Sequence, residues 1–203
     1  MIDKNLEFIS VMMETNHASE YPRYSVPEGY SIVGYRDGFE TDWARIQCLS
    51  FDSGTIESST EKFMKLFGAN LPLARTNCLF LLNPEGVPVS IGSLWMSELN
   101  GKICPRLHYI ATDPEYEGKG LCKALLTAVF DLQKAQGLGE YMFLTSQTWS
   151  FAAIRLYERF GFKPYVGREC PSVWSDYPDY AEKNPRAWEI IRARQAEFER
   201  YHR

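Results

Sequence analysis

Histidine is scarce in this chain, with three among 203 residues, and cysteine is limited to five positions, none of them in a CxxC pair. Cys48, Cys78, Cys104, Cys122 and Cys170 are odd in number and far apart. That pattern fits reduced thiols and disfavours a disulfide framework or a zinc site. No transmembrane-length apolar run occurs, and the opening MIDKNLEFISVMMETN has no basic start followed by an apolar stretch. Membrane insertion and secretion are therefore not expected, and the expected setting is the cytoplasm. A basic surplus is missing too. The net charge is −4 and the isoelectric point about 5.5, which argues against nucleic-acid binding, because phosphate attraction needs a basic surface. A neutral or cationic acceptor suits this balance better. Internal repeats and low-complexity segments are lacking. Gly-Lys-Ser/Thr is absent, which excludes a Walker loop. The glycines of Gly118-Lys119-Gly120 have no third partner and no acid after a second strand, which excludes the dinucleotide fingerprint. Asp113 and Glu115 sit in a Pro-containing turn with no histidine or further acid at ligand spacing, so no metal is expected.

What is present is ordinary for one globular domain with a sizeable core, since 45% of residues are hydrophobic and 24% charged. Strands and helices alternate. Tyr30 to Arg36 predicts a first strand, and Asp37-Gly38 introduces a helix near Glu40 to Phe51 with Trp43, Ile46 and Leu49 on one face. Glu61 to Phe67 predicts a second, short helix. Cys78 to Leu82, Val87 to Ser97 and Ile103 to Thr112 predict an antiparallel meander, with Asn100-Gly101 as a hairpin turn. From Leu121 to Gln136, residues Leu121, Leu125, Ala128, Val129 and Leu132 mark one helical stripe ended by Gly137. Strand 141–145, helix 150–160 and strand 162–166 follow, giving a parallel crossover and a mixed α/β (α+β) sheet with helices on its faces. Residues 1–26 are expected to be an N-terminal extension, 27–167 the main domain, and 168–203 a Pro- and Tyr-rich loop with a terminal helix from Asn184 to Tyr201. Packing on the same domain is the expected role of that tail; a lid or a homodimer contact is the alternative.

The most informative stretch runs from Arg106 to Phe162. An apolar strand (Leu107 to Thr112) passes through Asp113-Pro114 into the turn Glu117-Gly118-Lys119-Gly120 and then into a helix. Glycines there let the backbone approach a ligand, and unpaired N–H groups at the helix start, on the positive end of its dipole, suit a phosphate or pyrophosphate. The second half carries Ser150-x-x-Ala153-x-x-Leu156-Tyr157-x-x-x-Gly161-Phe162. Together the two halves resemble the GNAT superfamily of acyl-CoA-dependent N-acetyltransferases, whose motifs read Gln/Arg-x-x-Gly-x-Gly/Ala and Asn-x-x-Ala-x-x-Leu-Tyr-x-x-x-Gly-Phe. This sequence reads Glu117-x-x-Gly120-x-Cys122 in the first. It departs from the pattern with a carboxylate at Glu117, a larger residue at Cys122 and a helix-capping residue at Ser150. The phrases Val26-Pro27-Glu28-Gly29-Tyr30 and Cys104 to Tyr109 extend the similarity to residues 27–167.

The resemblance implies the GNAT fold, a mixed and mostly antiparallel sheet with a parallel splay at the cofactor site, and acetyl-CoA as cosubstrate. Main-chain contacts are implied from Ile110, Ala111 and Thr112 to pantetheine and from Glu117, Gly118, Lys119, Gly120, Leu121 and Cys122 to the pyrophosphate, with Ser150 as a further contact or simply an N-cap. An alkyl amine is mostly protonated near neutrality, with a pKa of about 10.4, so a base is needed. His108, on the strand before the turn, is the candidate, with a structural histidine as the alternative. Tyr109, of opposite parity, is expected on the other side of the sheet. Tyr157 is the candidate acid for the departing thiolate. The oxyanion falls to backbone N–H groups near Ile110 and Ala111. Aromatics (Phe51, Phe63, Phe67, Trp95, Trp149, Trp174, Tyr177) and acids (Asp52, Glu57, Glu61, Asp176) are available to an amine acceptor or are merely core and surface. The implied reaction is acetyl transfer to a small-molecule primary amine; protein or peptide acetylation, a noncatalytic acyl-CoA-binding module and a scaffold are the alternatives.

Overall fold

The computed structural model describes residues 2–51, 54–166, 169–174 and 177–201. Seven strands, β1 (Ser10–Thr15), β2 (Ser31–Gly34), β3 (Cys78–Leu82), β4 (Pro88–Leu99), β5 (Lys102–Thr112), β6 (Met142–Gln147) and β7 (Lys163–Pro164), form one mixed sheet in the order β2-β3-β4-β5-β6-β1-β7, flanked by helices. The chain divides into two compact units: 22–95 with 107–137, and 1–21 with 96–106 and 138–203. Strands β4 (Pro88–Leu99) and β5 (Lys102–Thr112) contribute to both.

In the first unit, β2 (Ser31–Gly34) pairs antiparallel with β3 (Cys78–Leu82), and β3 with β4. Every residue of β3 is buried, because helices cover both faces. Successive side chains point to opposite faces. Accordingly Phe80, Leu82, Ile91 and Ala111 pack against α1 (Phe39–Phe51) and α2 (Ile56–Phe67), in a core with Trp43, Ala44, Ile46, Phe63 and Phe67. Gly92 faces the other way, where an added Cβ would lie 2.5 Å from Ile110 Cδ1 and 3.2 Å from Leu125 of α4 (Leu121–Ala135). The absent side chain lets the helix and the end of β5 close on the sheet.

Helix α2 begins five residues before Glu61, because Thr55 caps it in a box with Ser58. A further helix, α3 (Leu71–Asn77), was not foreseen. Pro72 reads as a breaker, yet it lies in the first turn, where its missing N–H costs nothing, and Asn70 caps that turn by accepting from Leu73 N at 3.2 Å.

In the second unit, β1 (Ser10–Thr15) lies between β6 (Met142–Gln147) and β7 (Lys163–Pro164), antiparallel to both. No apolar–polar alternation marks this strand, because Val11, Met12 and Met13 form a continuous apolar run with both faces buried. The parallel register of β5 and β6 is at Arg106↔Phe143. Between β4 and β5, Asn100 (φ 51°) and Gly101 (φ 79°) make the expected hairpin turn. The terminal helix, α6 (Tyr180–Tyr201), starts earlier than expected and buries Ala187, Trp188 and Ile191; Phe198 meets Phe151 of α5 (Phe151–Arg159) at 5.8 Å between centroids.

Candidate active site

The anion-binding features lie in the first unit. Asp113 closes β5: its N–H donates to Val89 O at 2.9 Å, and its carboxylate accepts from Glu115 N at 3.1 Å and from Arg45 at 2.9 Å. It is 6% exposed, so this carboxylate is a structural anchor for the turn. Among the described residues no group of three or more metal-ligating side chains occurs.

Gly118 (φ 77°) and Gly120 (φ 81°) are both left-handed, and a Cβ at either would meet nothing within 4 Å. Their glycines are demanded by the backbone and not by crowding. Gly120 occupies the N-cap of α4 with no side-chain cap. Lys123 and Ala124 are the first helix residues to find an acceptor, at Gly120 O (3.1 and 3.2 Å). The preceding N–H groups, through Leu121 and Cys122, fall in the first turn, where no intrahelical acceptor exists. Such a nest with the helix dipole behind it fits a pyrophosphate.

The side chains around the turn leave it accessible. Glu117 is exposed. Lys119 Nζ stands over the Tyr116 ring at 4.3 Å, and Lys123 Nζ over the Tyr24 ring at 5.5 Å. Burial pushes the Cys122 thiol up to about 12, with Glu117 adding to the rise. The thiol is therefore neutral at physiological pH and adds no repulsion toward an anion.

Strand β5 leads into this turn. The carbonyl of Ala111 accepts from Ser90 Oγ at 2.9 Å and that of Thr112 from Ser50 Oγ at 2.9 Å; the Thr112 hydroxyl pairs with Ser90 Oγ at 2.7 Å. The expected parity of His108 and Tyr109 does not hold. Tyr109 has φ 50°, a left-handed residue inside a strand that acts as a bulge and breaks the alternation. The His108 and Tyr109 rings lie 4.1 Å apart, and both face Phe67, at 6.2 and 6.3 Å. Tyr109 also meets Trp43 at 5.0 Å.

Helix α1 runs beside this part of β5. Its inner face carries Trp43, Ala44, Ile46 and Gln47, whereas Leu49 is 48% exposed. The expected triple of Trp43, Ile46 and Leu49 drifts about 60° per step of three, so Leu49 ends on the outer side, while Gln47 lies within about 40° of Trp43. Gln47 was missed; a polar residue at a core-facing phase was the available signal.

In the second unit, Tyr157 is buried on α5, 7% exposed, with its ring 6.2 Å from Phe162. The N–H groups of Phe160 and Phe162 donate to its carbonyl at 3.0 and 3.1 Å, closing the helix before Gly161 (φ 87°). Ser150 is at the α5 N-cap position but makes no capping bond, because its hydroxyl accepts from Gln147 Nε2 at 2.7 Å. The N-cap expectation is corrected accordingly. The proposed acceptor aromatics also divide. Phe51, Phe63, Phe67 and Trp95 belong to the α1–α2 core. Trp174 and Tyr177 belong to a separate cluster with Tyr165 and Tyr180, and Trp149 packs on Phe8 at 4.8 Å. Glu57 and Glu61 are exposed, and Asp52 and Asp176 lie outside the described residues.

The family model described as "Acetyltransferase (GNAT) family" matches residues 41–162. Among solved structures, a GCN5-related N-acetyltransferase from Sphaerobacter thermophilus is similar at 19% identity and TM-score 0.59, over 76% of this chain and 48% of that one. A GNAT-family acetyltransferase from Colwellia psychrerythraea is similar at 12% identity and TM-score 0.60, over 79% and 55%. A protein from Pyrococcus horikoshii is similar at 18% identity and TM-score 0.55, over 70% and 92%. The chain thus spans about half the length of the first two. A search of curated protein sequences returns no match. Among the described residues no helix is long and apolar enough to cross a membrane. With the glycine turn, the matched motifs and the fold in agreement, the chain belongs to the GNAT family of acetyltransferases.

Proposed function

We propose that the protein transfers an acetyl group from acetyl-CoA to a primary amine of a small molecule by direct attack in a ternary complex, in a cytoplasmic setting. The observation that carries this is the pair of left-handed glycines, Gly118 and Gly120, opening α4 within a family that generally uses acetyl-CoA. Residues 27–167 are assigned as the catalytic domain, with 168–203 packed on it.

Bound acetyl-CoA supplies the thioester. The N–H groups of 118–122 hold the pyrophosphate, and Ile110 to Thr112 align the pantetheine through main-chain bonds, leaving N–H groups near Ile110 and Ala111 for the oxyanion. His108 takes the proton of the amine directly or through water. The Tyr157 hydroxyl donates to the leaving sulfur; a phenol of pKa about 10 can hydrogen-bond a thiolate as it forms.

Amine-dependent release of CoA thiol tests this over an amine panel. Wild type is expected to turn over. Tyr157→Phe is expected to lower kcat at least 10-fold with acetyl-CoA affinity unchanged, and His108→Gln to remove the rising basic dependence of kcat on pH. CoA binding without turnover on any amine overturns the enzymatic reading and favours a noncatalytic CoA-binding module, for which the exposed carboxylate of Glu117 beside the turn is the motivating feature.

A further inference from the structure

We propose that Trp43 and Gln47 form a carboxylate-recognition subsite, so that the preferred acceptor is an amine with a carboxylate one carbon away, as in an α-amino acid. This rests on the acetyl-transfer reading above and adds the acceptor's chemical class.

Trp43 and Gln47 stand one turn apart on the inner face of α1 and are 2% and 9% exposed. The indole Nε1 of Trp43 and the amide Nε2 of Gln47 are both buried, and neither has a hydrogen-bond partner among the described residues. Buried donors are nearly always satisfied, and two orphans at i and i+4 on one face call for an acceptor that arrives from outside.

Their position relative to β5 follows from fixed contacts. Trp43 touches the Tyr109 ring at 5.0 Å, and Ser50 donates to the Thr112 carbonyl at 2.9 Å. From residue 43 to 50 a helix rises about 10 Å, and from 109 to 112 a strand advances about 10 Å, so the two run side by side. Gln47, between Trp43 and Ser50 on the same stripe, therefore lies alongside Ile110 and Ala111. Ala111 packs in the same core as Trp43 and Ala44. That is the segment assigned to the thioester end of the cosubstrate. A group bound by Gln47 and Trp43 must be close to the reacting amine.

Charge selects the group. Lys62 of α2 places its ammonium 5.1 Å from the centroid of the Tyr109 ring and has no carboxylate partner among the described residues. Arg45, the cation of α1, is already committed to Asp113, Asp42 and the Pro88 carbonyl. Two orphan N–H donors with an uncommitted ammonium near the same ring suit an acceptor-only group with two oxygens. A carboxylate meets that description and also answers the ammonium, whereas a hydroxyl or carbonyl can accept from both donors but brings no charge to pair with Lys62. The acidic net charge of the whole chain gave no hint of this, because recognition here is set by local donors.

The test separates recognition from turnover. N-acetyl-leucine and N-acetyl-phenylalanine, and their decarboxylated counterparts N-isopentylacetamide and N-phenethylacetamide, are titrated calorimetrically into wild type, Gln47→Leu and Gln47→Glu. Thermal unfolding serves as a check of folding, and the nearly isosteric Gln47→Glu keeps the test available if the leucine variant unfolds. Wild type is expected to bind the carboxylates at least 10-fold tighter than the decarboxylated pair. Gln47→Leu is expected to abolish that ratio with little change for the neutral amides, and Gln47→Glu to invert it. Equal affinities in wild type, no binding of either class, or an equal loss of both classes in Gln47→Leu overturns the subsite. CoA release from leucine and phenylalanine against isopentylamine and phenethylamine is measured in parallel. A binding preference without turnover supports the subsite and refutes acetyl transfer; turnover of both classes without preference supports acetyl transfer and refutes the subsite.

Discussion

Replacing Gly120 by alanine isolates the conformational demand of the anion-binding turn. At φ 81° the residue is left-handed, and an added Cβ would meet nothing within 4 Å, so steric contact within the protein contributes nothing. What remains is the backbone cost of the left-handed region for a residue with a Cβ, about 1–2 kcal/mol. That cost has two outlets. If the turn holds its shape, the unfolding free energy falls by about 1–2 kcal/mol. If the turn relaxes instead, the N–H groups of the first turn of α4 rotate away and CoA affinity falls by a factor of about 5–30. Urea unfolding and calorimetric titration with CoA, made on the same preparations, capture both. Asparagine tolerates the left-handed region, so Gly120→Asn is expected to lose less than half as much by either measure. Wild-type stability together with wild-type CoA affinity in Gly120→Ala would refute the reasoning, and so would an asparagine variant as impaired as the alanine one.

Further outcomes follow from the same geometry. Gly34→Ala places a Cβ 1.8 Å from the Arg75 carbonyl oxygen, a backbone atom that cannot step aside, so urea unfolding is expected to show a loss of about 3 kcal/mol, and a loss under 1 kcal/mol would contradict the packing of α3 on β2. The phenols of Tyr35 and Tyr141 are raised above 10.0 by burial and then by Glu40 and Glu14, and burial holds the Cys78 and Cys122 thiols up to about 12. In each case the folded state favours the protonated form, so this stability is fully present below about pH 9 and is lost as the pH rises toward 12; urea unfolding between pH 9 and 11 is expected to show a steady fall, and a flat or rising curve over that range would contradict it. Because the thiolate is the reactive species, Cys78 and Cys122 are expected to resist alkylation at pH 8, which peptide mapping after iodoacetamide treatment checks.

The elements with a local signature were legible before the structure. The Asn100-Gly101 hairpin and the helices α4 and α5 each depend on residues close in sequence and stand where the pattern put them, although of the expected α4 stripe Leu121, Leu125 and Val129 are buried while Ala128 and Leu132 are only half-buried. Strand β1 escaped because burial on both faces removes the alternation that marks a half-exposed strand. Helix α3 escaped because Pro72 signals a break everywhere except in a first turn. At the candidate site, the glycine turn was readable from composition alone, whereas the shared side of His108 and Tyr109 was not. A single left-handed residue at Tyr109 reverses the parity, and nothing in its side chain announces a bulge. Ser150 illustrates the same limit, since a good capping residue was drawn instead into a bond with Gln147. Gln47 was hidden by phase: a count by threes put Leu49 inward, and the 3.6-residue repeat puts Gln47 there.

Whether the turn from Gly118 to Cys122 holds the pyrophosphate of acetyl-CoA is decided by isothermal titration of the full chain with acetyl-CoA and with free CoA at moderate salt. Micromolar binding of both is predicted, because the shared pyrophosphate carries most of the recognition. No binding of either at millimolar concentration would contradict the claim.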